Sequence, residues 1–306
     1  MTAASTSPDP VGRNRSRDLK RAALHGFLIV MALVWILPLA FALYTSLRPR
    51  EETDVLGYLS LPQTLNFDNY FAAWEQAELV KYFLNTLIIV VPAVLLVLFL
   101  ASMMAFAVSR YSWRLNLGFL LLFTAANLLP PQVIITPLYR IFLRLWLPED
   151  VLIEGFPSDN GLFYGQYVGL IAINVAFQLG FVTFVLSNYM KTIPRELNEA
   201  AVVDGASVWK TFRSVIMPLT RPALAALATL QVTWVYNDFF WATVLMAGKG
   251  PKMPITSALA QLQGQYFTDY NLLASGAILV AMPTLIVFFA LQKHFISGLT
   301  LGSTKG

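Results

Sequence analysis

The chain contains no cysteine and only two histidines. Without thiols there is no disulfide framework and no thiolate metal site. His25 and His294 stand at the ends of apolar runs, far apart in sequence, and make no imidazole cluster. Charge is equally scarce. Only 12% of the 306 residues are charged, against about 25% in soluble domains. A water-facing surface cannot be built from so few, so most of the surface must face lipid or other apolar subunits. The net charge of +4 is too small to suggest a nucleic-acid partner. No G-x-x-x-x-G-K-[ST] segment occurs: Gly248-Lys249-Gly250 lacks the frame, and Ser303-Thr304-Lys305-Gly306 has the wrong order. There is no Ser/His/Asp constellation and no pair of carboxylates in a cleft-like context, so no catalytic residue is assigned.

What the chain does have is apolar length, with 57% hydrophobic residues and a mean hydropathy of +0.62. A bilayer core of about 30 Å needs roughly 20 apolar residues as helix. Six segments meet that need: 24–47, 83–108, 118–139, 167–189, 222–246 and 272–294. They are continuous runs without alternation, which predicts helices rather than a barrel. The expected fold is therefore all-α and polytopic. Residues 1–23 are polar and are expected to be a disordered cytoplasmic tail, leaving 24–306 as one transmembrane domain. Segment 67–80, in the longer outer loop, reads as a short interfacial helix with Tyr70, Phe71 and Trp74 on its apolar side. Tyr111 and Trp113 read as part of an interfacial aromatic belt.

Lys and Arg set the direction. With the amino terminus inside, Arg13, Arg15, Arg17, Lys20, Arg21, Arg110, Arg114, Lys191, Arg195, Lys210, Arg213, Arg221, Lys293 and Lys305 all fall on the cytoplasmic side. That is most of the 21 basic residues, and it predicts both termini and residues 190–221 in the cytoplasm. A signal-peptide reading of Arg13–Ala42 is the alternative. Its apolar run is long for that purpose, and cleavage would still leave 190–221 inside.

Residues 199–219, EAAVVDGASVWKTFRSVIMPL, are the most informative stretch. Glu199-Ala200-Ala201, three residues, Gly205, nine residues, then Val215 to Pro218 meet in full the spacing of the EAA loop. The stretch resembles that loop of binding-protein-dependent ABC importers. Smaller elements extend the resemblance: Phe83-Leu84-Asn85-Thr86, Leu129-Pro130-Pro131-Gln132, Thr136-Pro137-Leu138-Tyr139, Asn237-Asp238-Phe239, and the ending from Gly298 to Gly306. Together they are similar to the carbohydrate branch, of the maltose (MalG-like) type. Tyr236 departs from the pattern, because a Trp usually precedes the fifth-span element.

The resemblance implies a type I ABC importer permease fold with six transmembrane helices, in a bacterial cytoplasmic membrane. It implies a second, MalF-like permease, two ABC ATPase subunits and an extracytoplasmic sugar-binding protein as partners. ATP and Mg would be bound by the ATPase, with no cofactor in this chain. The residues expected to couple to the ATPase are Glu199, Ala200, Ala201, Asp204, Gly205, Trp209, Phe212 and Pro218. Pro194 can start a helix there, and Gly205 can turn the chain at positive φ. A second short helix over about 207–216 would present Trp209, Phe212 and Ile216 as one apolar stripe. Pro218 would end it. Glu199 would meet a basic residue of the ATPase.

Polar residues inside the spans mark a candidate solute path. A charged Asp at mid-membrane costs about 2.5–3.5 kcal/mol on insertion scales, so Asp238 should face the bundle or water. Gln231, Trp234, Asp238 and Trp241 would share a helix face, next to Asn237. Asn174 and Gln178 form an i, i+4 pair, and Asn127 stands near Pro130-Pro131. Amides and a carboxylate can bond sugar hydroxyls, and indoles can stack on a pyranose. The blander reading is interhelical hydrogen bonding. Three rival functions remain at this point: an ion-coupled secondary transporter, an importer permease for glycerol-phosphate or another non-sugar solute, and a membrane-embedded enzyme.

Overall fold

A computed structural model describes residues 11–111, 114, 116–127, 129–144, 163–246, 252–263 and 268–300. Trp113, residues 1–10, Gly248-Lys249-Gly250 and the final residues 301–306 lie outside the described set. The described residues are nearly all helical. In chain order the helices are α1 Val11–Ser46, α2 Arg50–Leu56, α3 Asp68–Gln76, α4 Leu79–Arg110, α5 Asn116–Ala126, α6 Pro131–Arg144, α7 Tyr167–Thr192, α8 Glu196–Val203, α9 Val208–Thr211, α10 Met217–Tyr236, α11 Phe240–Leu245, α12 Ile255–Ala258 and α13 Tyr270–Thr300.

Five of the helical stretches are long and apolar enough to cross a membrane: 17–46, 79–110, 167–192, 208–236 and 270–290. The expected third span, 118–139, is instead two helices. Pro130 disfavours the α conformation at Leu129, and Pro131 starts α6, where its missing N–H is not needed. The expected fifth span, 222–246, stops at Tyr236 and resumes at Phe240. Asn237 and Asp238 compete for backbone hydrogen bonds with their side chains, which ends the helix there. At the amino terminus α1 reaches back to Val11, so 11–23 is helical rather than disordered. Lys20, Arg21, Ala22, Ala23 and Leu24 are good helix formers and extend the span.

The long helices α4 and α7 form the spine. Toward the carboxyl ends of both helices Val97, Ala101 and Ala105 pack with Val182, Leu186 and Met190 in one cluster. Small residues let the two backbones approach. Arg110 ends α4 by donating to Met190 O at 2.9 Å and Ile193 O at 3.1 Å, which satisfies the last carbonyls of α7. Toward their amino ends a larger cluster joins Ile89, Val90, Leu170, Ile173, Tyr236, Trp241 and Val280. The Phe83–Thr86 element has a structural job here. Asn85 Nδ2 donates to Met253 O at 3.0 Å, Asn85 Oδ1 accepts from Tyr167, and Thr86 Oγ1 accepts from the Ile255 N–H. The segment before α12 is thereby clamped across α4.

A second clamp holds the carboxyl end of α1. Arg48 is fully buried and donates to Glu52, Gly57 O, Tyr58 O and Ser60. Its own carbonyl accepts from Asn69 and Asn271, and Asn271 also donates to Thr45 O and Thr53. The expected interfacial helix is α3. It docks on α13, with Ala73 fully buried and Phe71 exposed. Burial pushes the Glu52 carboxyl up, but bonds from the Gln63 and Thr64 N–H groups, Arg48 and the Thr64 hydroxyl outweigh it and hold it at about 2.

Two expectations follow. Gly180 sits where an added Cβ would lie 2.6 Å from Phe123 O and 2.7 Å from Asn127 Nδ2. Gly180→Ala must push α5 from α7 and should cost about 1–3 kcal/mol, read as a lower melting temperature in detergent. Gly26→Ala, with nothing within 4 Å, should leave it unchanged. The Glu52 carboxyl sits below its ordinary 4.5, so its contribution is complete above pH 4.5 and lost as pH falls through about 2. Proteolytic sensitivity of residues 48–66 should rise over that window, and Glu52→Gln should abolish the pH dependence.

Candidate functional site

The two interruptions of the spans meet at one cavity. A space of about 420 Å³ is lined by Asn127, Leu129, Pro131 and Gln132 from the α5–α6 break, and by Asp238, Phe240 and Trp241 from the α10–α11 break. Asn174, Phe177, Gln178 and Phe181 of α7 and Trp234 of α10 complete it. Irregular backbone at membrane depth is tolerated only where it is buried in protein or lines a cavity, and both breaks satisfy that condition together.

Asp238 anchors the arrangement. Its Oδ1 accepts from the Trp241 N–H at 3.0 Å, which caps the start of α11. Its Oδ2 accepts from Asn174 Nδ2 at 3.0 Å. Thr256 donates to its carbonyl. Asn174 also donates to Leu170 O within α7. Below the cavity the fully buried Gln231 donates to Gln178 Oε1 at 3.2 Å. The walls are aromatic. Phe177 lies 5.2 Å from Trp241, and Phe181 stacks near Trp234 at 5.9 Å.

Of the eight residues expected on the solute path, Asn127, Asn174, Gln178, Trp234, Asp238 and Trp241 line this cavity. Gln231 lies beneath it and holds Gln178. Asn237 does not join them. It turns to a separate pocket with Phe239, Thr256 and Gln263, and its amide donates to Thr233 O. The single helix face expected for Gln231, Trp234, Asp238 and Trp241 does not exist, because the helix is interrupted between the last two and the first two. Gln132, Phe177, Phe181 and Phe240 were missed. Gln132 lies inside the quoted Leu129–Gln132 element, and Phe177 neighbours Gln178, but apolar residues in an apolar helix carry no sequence signal.

The second candidate is the loop at the other end of α7. Helix α8 ends in a paired turn: the Ala206 N–H reaches Ala201 O at 2.9 Å and the Gly205 N–H reaches Val202 O at 3.0 Å. This is the Schellman arrangement, and Gly205 takes φ +73 as it demands. Ser207 caps α9 by accepting from the Lys210 N–H. Beyond α9 the backbone widens into one π turn, Phe212–Ile216, and runs on into α10 without a stop. The expected termination at Pro218 is not found. The Met217 N–H already bonds Phe212 O across the π turn, and Pro218 stands in the first turn of α10, where it needs no donor.

Glu199, Ala200, Asp204, Gly205 and Trp209 are on the surface of this loop, and Ala201 is buried beneath it. Phe212 is a correction. It is 5% exposed and packs 5.2 Å from Phe106, with Ile216 fully buried beside it. Of the expected stripe, Phe212 and Ile216 face the chain's own α4 and α7, and Trp209 stays exposed. What the loop presents instead is Val202, Val203, Val208 and Trp209, with Val203 86% exposed.

Comparison with known proteins places this architecture. A family model described as the binding-protein-dependent transport system inner membrane component matches residues 97–300. The chain is 31% identical over 302 residues to the osmoprotective compounds uptake permease protein GgtD of Synechocystis, covering 95% of each. It is 29% identical over 278 residues to the melibiose/raffinose/stachyose import permease protein MelC of Bacillus subtilis, covering 90% of this chain and 94% of that one. Its fold is similar to a chain in the crystal structure of a bacterial ABC transporter that imports the acidic polysaccharide alginate. That match has a TM-score of 0.72 at 20% identity and covers 95% of this chain and 100% of the other.

The Asn174–Asp238 bond is testable alone. Asn174→Leu removes a donor from a carboxylate oxygen inside the bundle and should cost about 1–3 kcal/mol. The melting temperature should fall, and Asp238→Asn in the same background should cost less than it does alone. Unchanged melting in Asn174→Leu would show that water replaces the amide at no cost.

Proposed function

The chain belongs to the family of binding-protein-dependent transport system inner membrane components, and from that premise we propose that it forms half of the pore of an ATP-driven sugar importer. It is a multi-pass membrane transport subunit of the ABC importer type and not an enzyme. Family membership sets aside the ion-coupled carrier and the membrane enzyme. The proposal adds the solute, the path and the coupling surface.

One observation carries it. Two non-helical interruptions in separate spans converge on one cavity that mixes amides, a carboxylate and indole rings. Hydroxyl-rich solutes need hydrogen-bond partners of both kinds and flat apolar faces, and this wall offers all three. Several relatives carry import of oligosaccharides in their names, among them MelC and the diacetylchitobiose permease NgcG of Streptomyces coelicolor.

The partners follow the same reading. A second, related permease would cover α1, whose residues 17–41 are all exposed in the chain alone. Two ATPase subunits, holding ATP and Mg, would dock on the loop at 190–221 from the cytoplasm. An extracytoplasmic binding protein would deliver the sugar. Glu199 would meet a basic residue of the ATPase, and Val202, Val203, Val208 and Trp209 would enter its groove. Because α9, the π turn and α10 are continuous, a displacement of the loop would travel along α10 to the Asn237–Phe239 break beside the cavity.

The expected outcomes are specific. Gly205 has open space around it, so Gly205→Val acts through backbone strain of about 1–3 kcal/mol. Gly205→Val, Glu199→Lys and Val203→Asp should each lose ATPase co-purification, or transport per ATP in liposomes, while the chain remains inserted. Phe212→Ala should lower melting temperature instead. A cysteine placed at Lys210 should react with an impermeant thiol reagent only in inverted vesicles. Wild-type ATPase retention in all three loop variants, or labelling of position 210 from outside intact cells, would overturn the coupling assignment.

A further inference from the structure

We propose that Asp238 is a charge filter on the solute path, so that the cavity admits neutral and cationic solutes and rejects anionic ones. The inference rests on the reading that this cavity lies on the path.

Three observations lead to it. The cavity wall carries one carboxylate and, among the described residues, no lysine or arginine. The carboxylate has no ion-pair partner among those residues; its oxygens are met by an amide N–H and a backbone N–H. Both are neutral donors, so the negative charge is oriented and not cancelled. The remaining polar lining is Asn127, Gln132, Asn174 and Gln178, which serve hydroxyls and ammonium groups as well as each other. Two unit charges about 6 Å apart at an effective dielectric near 20 repel enough to disfavour an anion by about tenfold or more. Indole faces reinforce the bias, since ring quadrupoles attract cations and repel anions.

This goes further than the fold likeness, which includes a transporter of an acidic polysaccharide. The charge of the wall separates this chain from such solutes. It also argues against glycerol-phosphate, one of the solutes left open by the sequence.

The absence of native cysteine gives a direct test that needs no knowledge of the solute. Gln132 is an exposed wall residue. Gln132→Cys is introduced into the full chain, expressed with its native partners in membrane vesicles. The vesicles are treated with methanethiosulfonate reagents of similar size that are neutral, cationic (trimethylammonium) or anionic (sulfonate). Labelling is followed on the affinity-purified chain, and rates are divided by those with free thiol.

The expected result is labelling by the neutral reagent and a cation-to-anion rate ratio of about ten or more. Asp238→Asn keeps a capping side chain and should bring the ratio close to one. Gln178→Lys, which leaves Asp238 in place, should lower it as well. An even or anion-favouring ratio in the Gln132→Cys chain overturns the filter and leaves the path reading intact. A ratio that survives Asp238→Asn assigns the bias to other groups and overturns Asp238 as its source. Failure of the neutral reagent to reach position 132 from either side sinks the path reading, and the filter with it.

Discussion

Inside hydrocarbon a backbone N–H or C=O has no water to turn to, and the described structure is organised around that fact. Long helices satisfy it by themselves. The interruptions at Asn127, Leu129 and Pro130 and at 237–239 do not, and their groups must be satisfied locally. Asn127 Nδ2 takes Phe123 O, the Val133 N–H takes Pro130 O, and Asn237 Nδ2 takes Thr233 O. Asp238 accepts the Trp241 N–H while Thr256 covers its carbonyl. Two of these repairing side chains, Asn127 and Asp238, also line the cavity. On the proposed reading, interhelical packing and solute contact are two consequences of one arrangement, because a break that must be polar to exist also supplies a polar wall.

The same constraint explains why some of this was legible in the sequence. A carboxylate or amide in an apolar run is costly, so Asn127, Asn174, Gln178, Gln231 and Asp238 stand out and are expected to face inward. All five do lie at or under the cavity. Span existence was legible because apolar length is its cause. Helix continuity was not. Leu129-Pro130-Pro131 and Asn237-Asp238 were visible as polar or proline-containing elements, yet the extent of each interruption depends on the neighbour that accepts the freed groups. Gly180 gave no signal either, since its role is set by the Phe123 backbone of a different helix.

Phe212 shows the limit of periodicity. A stripe at i, i+3 and i+7 states that a face is buried and leaves open what buries it. Here the cover is Phe106 and Met190 of the same chain. On the proposed reading the coupling surface is consequently built from Val202, Val203, Val208 and Trp209, and Phe212 ties it to the core formed with α4 and α7. The polar knot around Arg48 was hidden for a related reason. Its partners Glu52, Asn69 and Asn271 come from three separate elements, and an arginine beyond a span reads only as topology.

The knot also determines what kind of object the chain is. Helix α1 touches the rest of the molecule chiefly near its carboxyl end, where Thr45, Ser46 and Arg48 offer carbonyls to Asn271, Asn69 and Ser275. From Phe27 to Phe41 it is apolar on every side and exposed, Trp35 and Leu39 among its residues. In lipid no hydrophobic force draws such a helix onto its own bundle, because the tails are as apolar as leucine. It stays where its polar end fixes it. On the proposed reading this outlying helix is what a second permease packs against. On the same reading the cavity stays open in the isolated chain because one half of a pore can satisfy its own backbone, but it cannot close around a solute alone.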